Sequence, residues 1–192
     1  MKNNDLTAAE NLALIAKSIQ QTKNNLYGQR FYYLFWGWLV LATSGVHLLL
    51  AYFTTIEKPY LVWPVLMGIG FLVTLGYGYT RGRKTGHVES LLDRSLKHLW
   101  ITLGVSIFLT AWIVGQAYQS DPIPIIAVLV GAGTLISGLQ MRFKPLQWGG
   151  ICFMVTAVAS NYITPLQSLL LYDFCIVVGY LIPGYLLKKE PV

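Results

Sequence analysis

Long apolar blocks constrain this chain more than any other feature of its sequence. Of 192 residues, 55% are hydrophobic and 11% are charged, and the apolar residues form blocks of about 20, the length that crosses a bilayer. A spanning segment must satisfy its own backbone hydrogen bonds, and these blocks lack the polar–apolar alternation of barrel strands. The sequence therefore predicts an all-α polytopic membrane bundle of six transmembrane helices, at residues 31–53, 61–79, 99–118, 123–141, 146–163 and 168–187.

The basic residues predict how this bundle is oriented, because lysine and arginine in short loops are retained on the cytoplasmic side. Of the 14 lysines and arginines, only Lys58 falls on the other side of a six-span arrangement. We therefore expect a multi-pass protein of the bacterial cytoplasmic membrane with both termini in the cytoplasm. Residues 1–30 form an N-terminal segment, 31–187 the membrane domain and 188–192 a tail. The net charge of +6 is attributed to this topology and to anionic lipid, not to nucleic acid.

The N-terminal segment has the pattern of an amphipathic cytoplasmic helix. Thr7 and Glu10 have the spacing of a capping box, and the apolar residues that follow share one helix face. Two interpretations stay open: this helix and the basic loop after span two lie on the inner leaflet, or they contact a cytoplasmic protein or a second copy of the chain. The contact residues are Leu12, Ile15, Ile19, Lys17 and Lys23 in the helix and Arg81, Arg83 and Lys84 in the loop.

Glycines in the returning spans suggest three tandem helical hairpins. Small residues let helix backbones approach closely where lipid offers no hydrophobic drive for association. We therefore expect the returning helices to form the centre of the bundle. The alternative is that glycine is simply common in membrane helices. The predicted packing positions are Gly68 and Gly70 in span two, Gly131 and Gly133 in span four, and Gly179 in span six.

Aromatic residues cluster near the predicted span ends, which is typical of interfacial belts. Tyr33 belongs to the inner belt in this interpretation and Tyr172 to the outer one. We expect belts first and binding surfaces only second.

Two ionisable residues lie inside the predicted spans, and such groups are candidates for function because they are costly in a bilayer. His47 and Asp173 are both expected roughly 8 to 9 Å below the outer surface, from the helical rise of 1.5 Å per residue. Gln116 and Asn161 fall in the same layer. The pattern predicts an outer polar pocket of His47, Gln116, Asn161 and Asp173. The alternative is that each side chain is satisfied locally or lies at the interface.

Motifs for catalysis or metal binding are missing from the sequence. It has no GxSxG elbow, no HExxH, no phosphate-binding glycine loop and no paired acidic motif. Cys152 and Cys175 lie in spans five and six without metal-ligand spacing, so we expect free, lipid-shielded thiols. The alternative is a structural disulfide or a metal site. The sequence therefore predicts no enzyme, no metal and no cofactor.

Four stretches of the chain look familiar: 13–15 with 22–26, 34–40, 143–146 with 149–150, and 179–187. They resemble a family of small uncharacterised membrane proteins from Bacteroidetes, and the resemblance covers most of the chain. Members of that family are often encoded beside a winged-helix transcriptional regulator, so the resemblance implies a sensing or regulatory role. It supplies no functional residues. Similarity to the small acid-resistance membrane proteins rests only on six spans arranged as hairpins.

These features favour a non-enzymatic regulatory, sensing or accessory protein that contacts a cytoplasmic partner while its bundle anchors or senses. The alternative is a small transporter or ligand-binding bundle that uses the outer polar pocket. The expected partners are the lipid bilayer, a cytoplasmic protein and, as an open alternative, a second copy of the chain. No direct contact with nucleic acid is expected.

Overall fold

The computed structural model describes residues 8–56, 58–85 and 91–187, with side chains described throughout these ranges except at 8–27, 81–85 and 116. Within them the chain is helical or forms turns, and contains no strand. The all-helical prediction is therefore confirmed for the described part of the chain.

Helix α1, Ala8–Phe53, is a single helix of 46 residues. The sequence pattern predicts an N-terminal helix and a first span as separate elements, whereas the structure joins them without a break. Its first part carries Leu12, Ile15, Ile19, Lys17 and Lys23, whose side chains lie outside the described residues. After a short turn, helix α2, Val62–Thr85, runs back along α1.

The next three helices are α3, Leu91–Trp112, α4, Ile123–Gln140, and α5, Lys144–Ala159. Helix α3 ends in a π-helical turn, Ile113–Ala117. The turn between α4 and α5 places Arg142 in the left-handed region, with φ 51°. There Phe143 N–H donates to Gly138 O at 2.9 Å and Arg142 N–H to Leu139 O at 3.1 Å, the pattern of a Schellman motif.

Helix α6, Pro165–Ile176, begins with a capping box in which Thr164 and Gln167 satisfy each other's backbone N–H groups. It continues through a π-helical turn, Val177–Leu181, into the short helix α7, Ile182–Leu186. Pro183 has no N–H to donate one turn back, and the wider turn before it accommodates that loss. Because of the capping box, α6 begins three residues before the predicted span.

The helices alternate in direction between two ends of the bundle. The basic end carries Arg30 and Lys144, and the far end carries the turns at Pro59–Leu61 and Ser160–Tyr162. Helices α4, α5, α6 and α7 pack with the second half of α1 around the buried side chains. Helix α2 packs on α1, and α3 packs on α4.

Five of the described helical segments are long and apolar enough to cross a membrane. They are Gly28–Phe53, Pro59–Thr80, Leu91–Gly115, Ile123–Gln140 and Pro165–Leu186. Helix α5, with 16 residues, corresponds to the remaining predicted span and is shorter than these. The chain is thus a multi-pass, all-helical membrane protein.

The predicted packing glycines lie in different environments. A Cβ on Gly70 would meet Leu39, and one on Gly133 would meet Leu103. Gly131 lies against the Gly150 carbonyl, where a Cβ would be 3.0 Å from the oxygen. Gly68, by contrast, has open space within 4 Å of its Cβ position, so it is not a packing position.

Gly179 lies where two backbones meet, because a Cβ on Gly149 would lie 2.5 Å from its Cα. The returning helices therefore do not share one role. Helices α4 and α6 are central, as predicted, whereas α2 lies at the periphery and the prediction for it is wrong.

Candidate functional site

A carboxylate inside the bundle is the first candidate site. Asp173 lies in the third turn of α6, and its Oδ2 accepts a hydrogen bond of 2.5 Å from the hydroxyl of Ser44 on α1. Ser44 is completely buried. Since α6 begins at Pro165, Asp173 lies about 12 Å from that helix end, at 1.5 Å per residue. It is therefore deeper in the bundle than the sequence pattern indicates.

The second oxygen of this carboxylate is buried without a partner. Among the described residues, Asp173 Oδ1 and the hydroxyls of Ser160 and Ser168 are the buried side-chain oxygens that make no hydrogen bond. Ser160 lies in the turn that follows α5, and the other two belong to α6. An unpartnered polar atom in an apolar interior costs free energy, so such atoms mark places where a ligand or proton can be accommodated.

The other members of the predicted outer pocket do not join Asp173. His47 Nδ1 accepts a hydrogen bond of 2.8 Å from Trp63 Nε1 on α2. Asn161 donates to Ala157 O at 2.8 Å, in its own helix. The side chain of Gln116 lies outside the described residues. The expected convergence of His47, Asn161 and Asp173 is therefore replaced by separate contacts, because each polar group finds a partner on a nearer helix or on its own backbone.

A groove of about 830 Å³ opens at the basic end, far from Asp173. Helices α1, α2 and α7 form its walls, and Trp38 Nε1 donates to the Tyr185 hydroxyl at 3.2 Å across it. One cation, Arg30, lies among otherwise apolar or aromatic lining residues. The sequence pattern does not identify this groove, because its residues come from three separate helices. The lining includes Arg30, Phe31, Phe35, Trp38, Tyr77 and Tyr185.

The base of the N-terminal arm, which we define as residues 8–27 of α1, is tied to α3. Gln29 Nε2 donates to Asp93 Oδ1 at 2.9 Å. This contact lies one turn beyond the arm, at the basic end. The predicted contact residues Arg81, Arg83 and Lys84, like those of the arm, have side chains outside the described residues, so their contacts stay predictions.

The buried tyrosines correct the prediction of interfacial belts. Tyr33 and Tyr172 are 3% and 6% exposed, so they belong to the core and not to belts. Phe153 packs between Tyr172 and Tyr180, with ring centroids 5.4 and 5.9 Å away. Trp100 packs against the other side of Tyr180. Tyrosine suits both interfaces and cores when its hydroxyl has a partner, so residue type alone could not separate the two.

The two cysteines lie side by side, which the sequence pattern does not predict. Cys152 Sγ lies 3.1 Å from Cys175 Sγ, and both thiols are free. The only signal in the sequence is that both residues fall near the middle of adjacent antiparallel spans.

No model of a known protein family, no curated protein and no solved structure matches the chain. The class that fold and sites define is a multi-pass, all-helical membrane protein with a helical N-terminal arm, a partly buried carboxylate and a pair of adjacent thiols, one of them completely buried.

Proposed function

We propose that the protein is a non-enzymatic regulatory or accessory membrane protein whose N-terminal arm contacts a cytoplasmic partner. The resemblance to membrane proteins encoded beside a winged-helix regulator implies such a role. The observation that carries the proposal is the unbroken course of α1 from the arm into the bundle. Residues 8–27 extend the helix by roughly 30 Å beyond the apolar segment, at 1.5 Å per residue.

The second half of α1 is fixed to the core, so a movement at one end is transmitted to the other. Ser44 holds Asp173 near the far end. A Cβ on Gly37 would lie 2.7 Å from a Leu181 methyl, and one on Gly184 would lie 2.8 Å from a Leu34 methyl. Through these close contacts α1 packs against the π-helical turn and against α7. A partner bound to the arm therefore senses, or sets, the position of α1 in the membrane.

The topology that we propose is six crossings with both termini in the cytoplasm of a bacterial inner membrane. Helix α5 and the turn at Ser160–Tyr162 together supply the fifth crossing. The alternating helix directions and the basic residues at one end support this arrangement. A reporter of periplasmic location should be active when inserted after Gln119 and inactive when fused after Val192. Activity at both positions would contradict the topology.

Deletion of the arm tests the function directly. We expect a variant lacking residues 2–25 to insert and fold normally but to lose the protein that wild type recovers after crosslinking in cells. A matched control lacks residues 188–192 and keeps that partner. Equal recovery by wild type and the arm deletion would contradict the proposal.

The two faces of the arm separate partner binding from lipid contact. We expect Leu12→Ser with Ile15→Ser to abolish crosslinking to the partner if the apolar face docks on protein. Lys17→Gln with Lys23→Gln should lower recovery less, because those charges act mainly on anionic lipid. Equal losses from both pairs would indicate that the arm only lies on the membrane.

A second candidate function rests on the unpartnered oxygen of Asp173: a bundle that takes up a proton or a small cation. In vesicles loaded with a pH-sensitive dye, the wild type should dissipate a proton gradient faster than Asp173→Asn. Ser44→Ala is expected between them, because it alters the carboxylate's partner but keeps the charge. Identical rates for wild type and Asp173→Asn would exclude proton movement through this group.

A further inference from the structure

The contact between α5 and α6 contains a pair of thiols close enough to react with each other. The sulfurs of Cys152 and Cys175 are 3.1 Å apart. A disulfide requires about 2.05 Å between sulfurs and 3.5 to 4.5 Å between Cβ atoms. Closing the bond would therefore move the sulfurs by roughly 1 Å, within the range of side-chain rotation.

The backbones of the two segments are already in close contact nearby. A Cβ on Gly149 would lie 2.5 Å from the Cα of Gly179. In this antiparallel pair, Gly149 lies one turn before Cys152 and Gly179 one turn after Cys175. The thiols are therefore one turn from this backbone contact.

The two thiols differ in how they can be reached. Cys175 is completely buried, and its sulfur lies 2.9 Å from the Thr156 hydroxyl. Cys152 is half-buried and adjoins a strongly exposed apolar stripe that includes Trp148 and Val155. A reagent dissolved in the lipid can thus reach Cys152, whereas Cys175 has no exposed surface.

We propose that Cys152 and Cys175 form a redox-active dithiol site that a lipid-soluble quinone oxidises to an intramolecular disulfide. Water and charged oxidants are excluded from the hydrocarbon layer, and the thiolate form is disfavoured there. A quinone is neutral and dissolves in lipid. Its reaction with two thiols yields a disulfide and a neutral quinol, so no charge is left in the membrane.

The reaction balances in two steps. The Cys152 sulfur forms a bond to a quinone ring carbon while its hydrogen passes to a quinone oxygen. The Cys175 sulfur then attacks the Cys152 sulfur: the S–S bond forms, the carbon–sulfur bond breaks, and the Cys175 hydrogen passes to the other ring oxygen. The two thiols are oxidised by two electrons and the quinone is reduced to the quinol.

The disulfide would tie α5 to α6 immediately before the π-helical turn Val177–Leu181. That turn carries Leu181, against which α1 packs at Gly37. Oxidation at the dithiol site would therefore restrain the segment against which α1 packs. The dithiol chemistry does not require a cytoplasmic partner on the arm, so it can be tested on the purified protein alone.

The test uses the full-length protein in lipid nanodiscs with decylubiquinone. We expect one quinol per protein, an intact mass lower by two hydrogen atoms, and loss of both thiols from maleimide labelling after denaturation. Cys152→Ser should keep its thiol and form no quinol, whereas Cys175→Ser should stop at the Cys152–quinone adduct and form neither disulfide nor free quinol. Ferricyanide, which is charged, should oxidise wild type more slowly than the quinone does.

A relocated thiol supplies the matched control. The double variant Cys152→Ser with Val155→Cys keeps two thiols, but the new one lies on the exposed stripe, and we expect no disulfide. Circular dichroism establishes that each variant is folded. The proposal is overturned if wild type keeps both thiols while a lipid-dissolved dithiol in the same nanodiscs is oxidised. It is also overturned if the disulfide joins two copies of the chain.

Discussion

We call helices α4–α7 the core unit and helices α2 and α3 the outer pair. The spans Ile123–Gln140 and Pro165–Leu186 of the core unit have nearly the same mean hydropathy as the two outer spans but different surroundings. In the core unit, 50% of an 18-residue apolar stretch within Pro165–Leu186 is buried, and 39% of the 18 residues of Ile123–Gln140 are buried. In the outer pair the shares are 6% for Pro59–Thr80 and 0% for Leu91–Gly115. Hydropathy therefore identifies helices that belong in lipid, but it does not tell which of them pack together.

Small and hydroxyl-bearing residues make the difference between the two regions. The core unit buries Thr134, Ser137, Thr156 and Ser168, whose short side chains fit between close backbones. Association of helices in lipid depends on packing and hydrogen bonds, not on removing apolar surface from water. The outer pair presents its bulky apolar side chains outward, to lipid or to another apolar surface.

The largest expected effect comes from removing a large side chain from the middle of the core unit. Phe153 is completely buried among aromatic rings, whereas Phe108 on α3 is 56% exposed. We expect Phe153→Ala to lower the free energy of unfolding by about 3 kcal/mol, because a cavity is left among rigid neighbours. Phe108→Ala should change it by less than about 0.5 kcal/mol. Unfolding in an SDS titration measures both, and equal losses would contradict the distinction between core unit and outer pair.

Adding a methyl group tests the same distinction from the opposite direction. A Cβ on Gly150 would lie 2.6 Å from the Leu135 backbone nitrogen, so a helix must shift to admit it. Gly150→Ala should cost about 2 kcal/mol through overpacking. In Gly68→Ala the added carbon meets nothing within 4 Å, so unfolding should be unchanged or slightly harder. The comparison fails if Gly68→Ala is as destabilising as Gly150→Ala.

Helix α1 touches both regions, and its polar contacts through Ser44 and His47 should differ in strength. Ser44 bonds a carboxylate of the core unit, whereas His47 bonds Trp63 of the outer pair. Ser44→Ala should cost about 1.5 kcal/mol, because it removes the hydrogen bond to Asp173 Oδ2 while Oδ1 already has no partner among the described residues.

Trp63→Phe is the counterpart of that substitution. It leaves a half-buried histidine nitrogen unpaired near the far end, where water can replace the lost donor, and should cost no more than about 1 kcal/mol. The same SDS titration ranks the two variants. A larger loss of unfolding free energy from Trp63→Phe than from Ser44→Ala would show that α2 is bound to α1 more firmly than the exposure of α2 suggests.

Much of the helical layout could be predicted from the sequence, and the predicted far-end limits at Phe53 and Ile123 coincide with helix ends. The start of α6 was missed because Thr164 and Gln167 form a capping box that was not recognised, which also placed Asp173 too close to the surface. The continuity of α1 could not be predicted either, since a polar helix and an apolar span give separate hydropathy patterns.

Side-chain partners were the least predictable part. Depth along a helix follows from counting residues, but the direction in which a residue points depends on helix rotation, which a uniformly apolar span leaves undefined. His47 and Asp173 were therefore placed at similar depths without any indication that they contact different helices. The packing of α5 against the α6 segment brings Cys152 close to Cys175 and Gly149 close to Gly179. Neither pair carries a local sequence motif that would indicate this contact.

The smallest expected effect concerns a buried hydrogen bond that ties the outer helix α3 to α4. Trp100 Nε1 donates to the hydroxyl of Ser137 at 3.1 Å, and that hydroxyl is completely buried. Ser137→Ala should lower the free energy of unfolding by about 0.6 kcal/mol, the average for interhelical hydrogen bonds in membranes. The matched control is Ser106→Ala on α3, whose hydroxyl bonds only to Thr102 O in its own helix. A loss of about 2 kcal/mol from Ser137→Ala would mean that α3 belongs energetically with the core unit, despite the exposure of its surface.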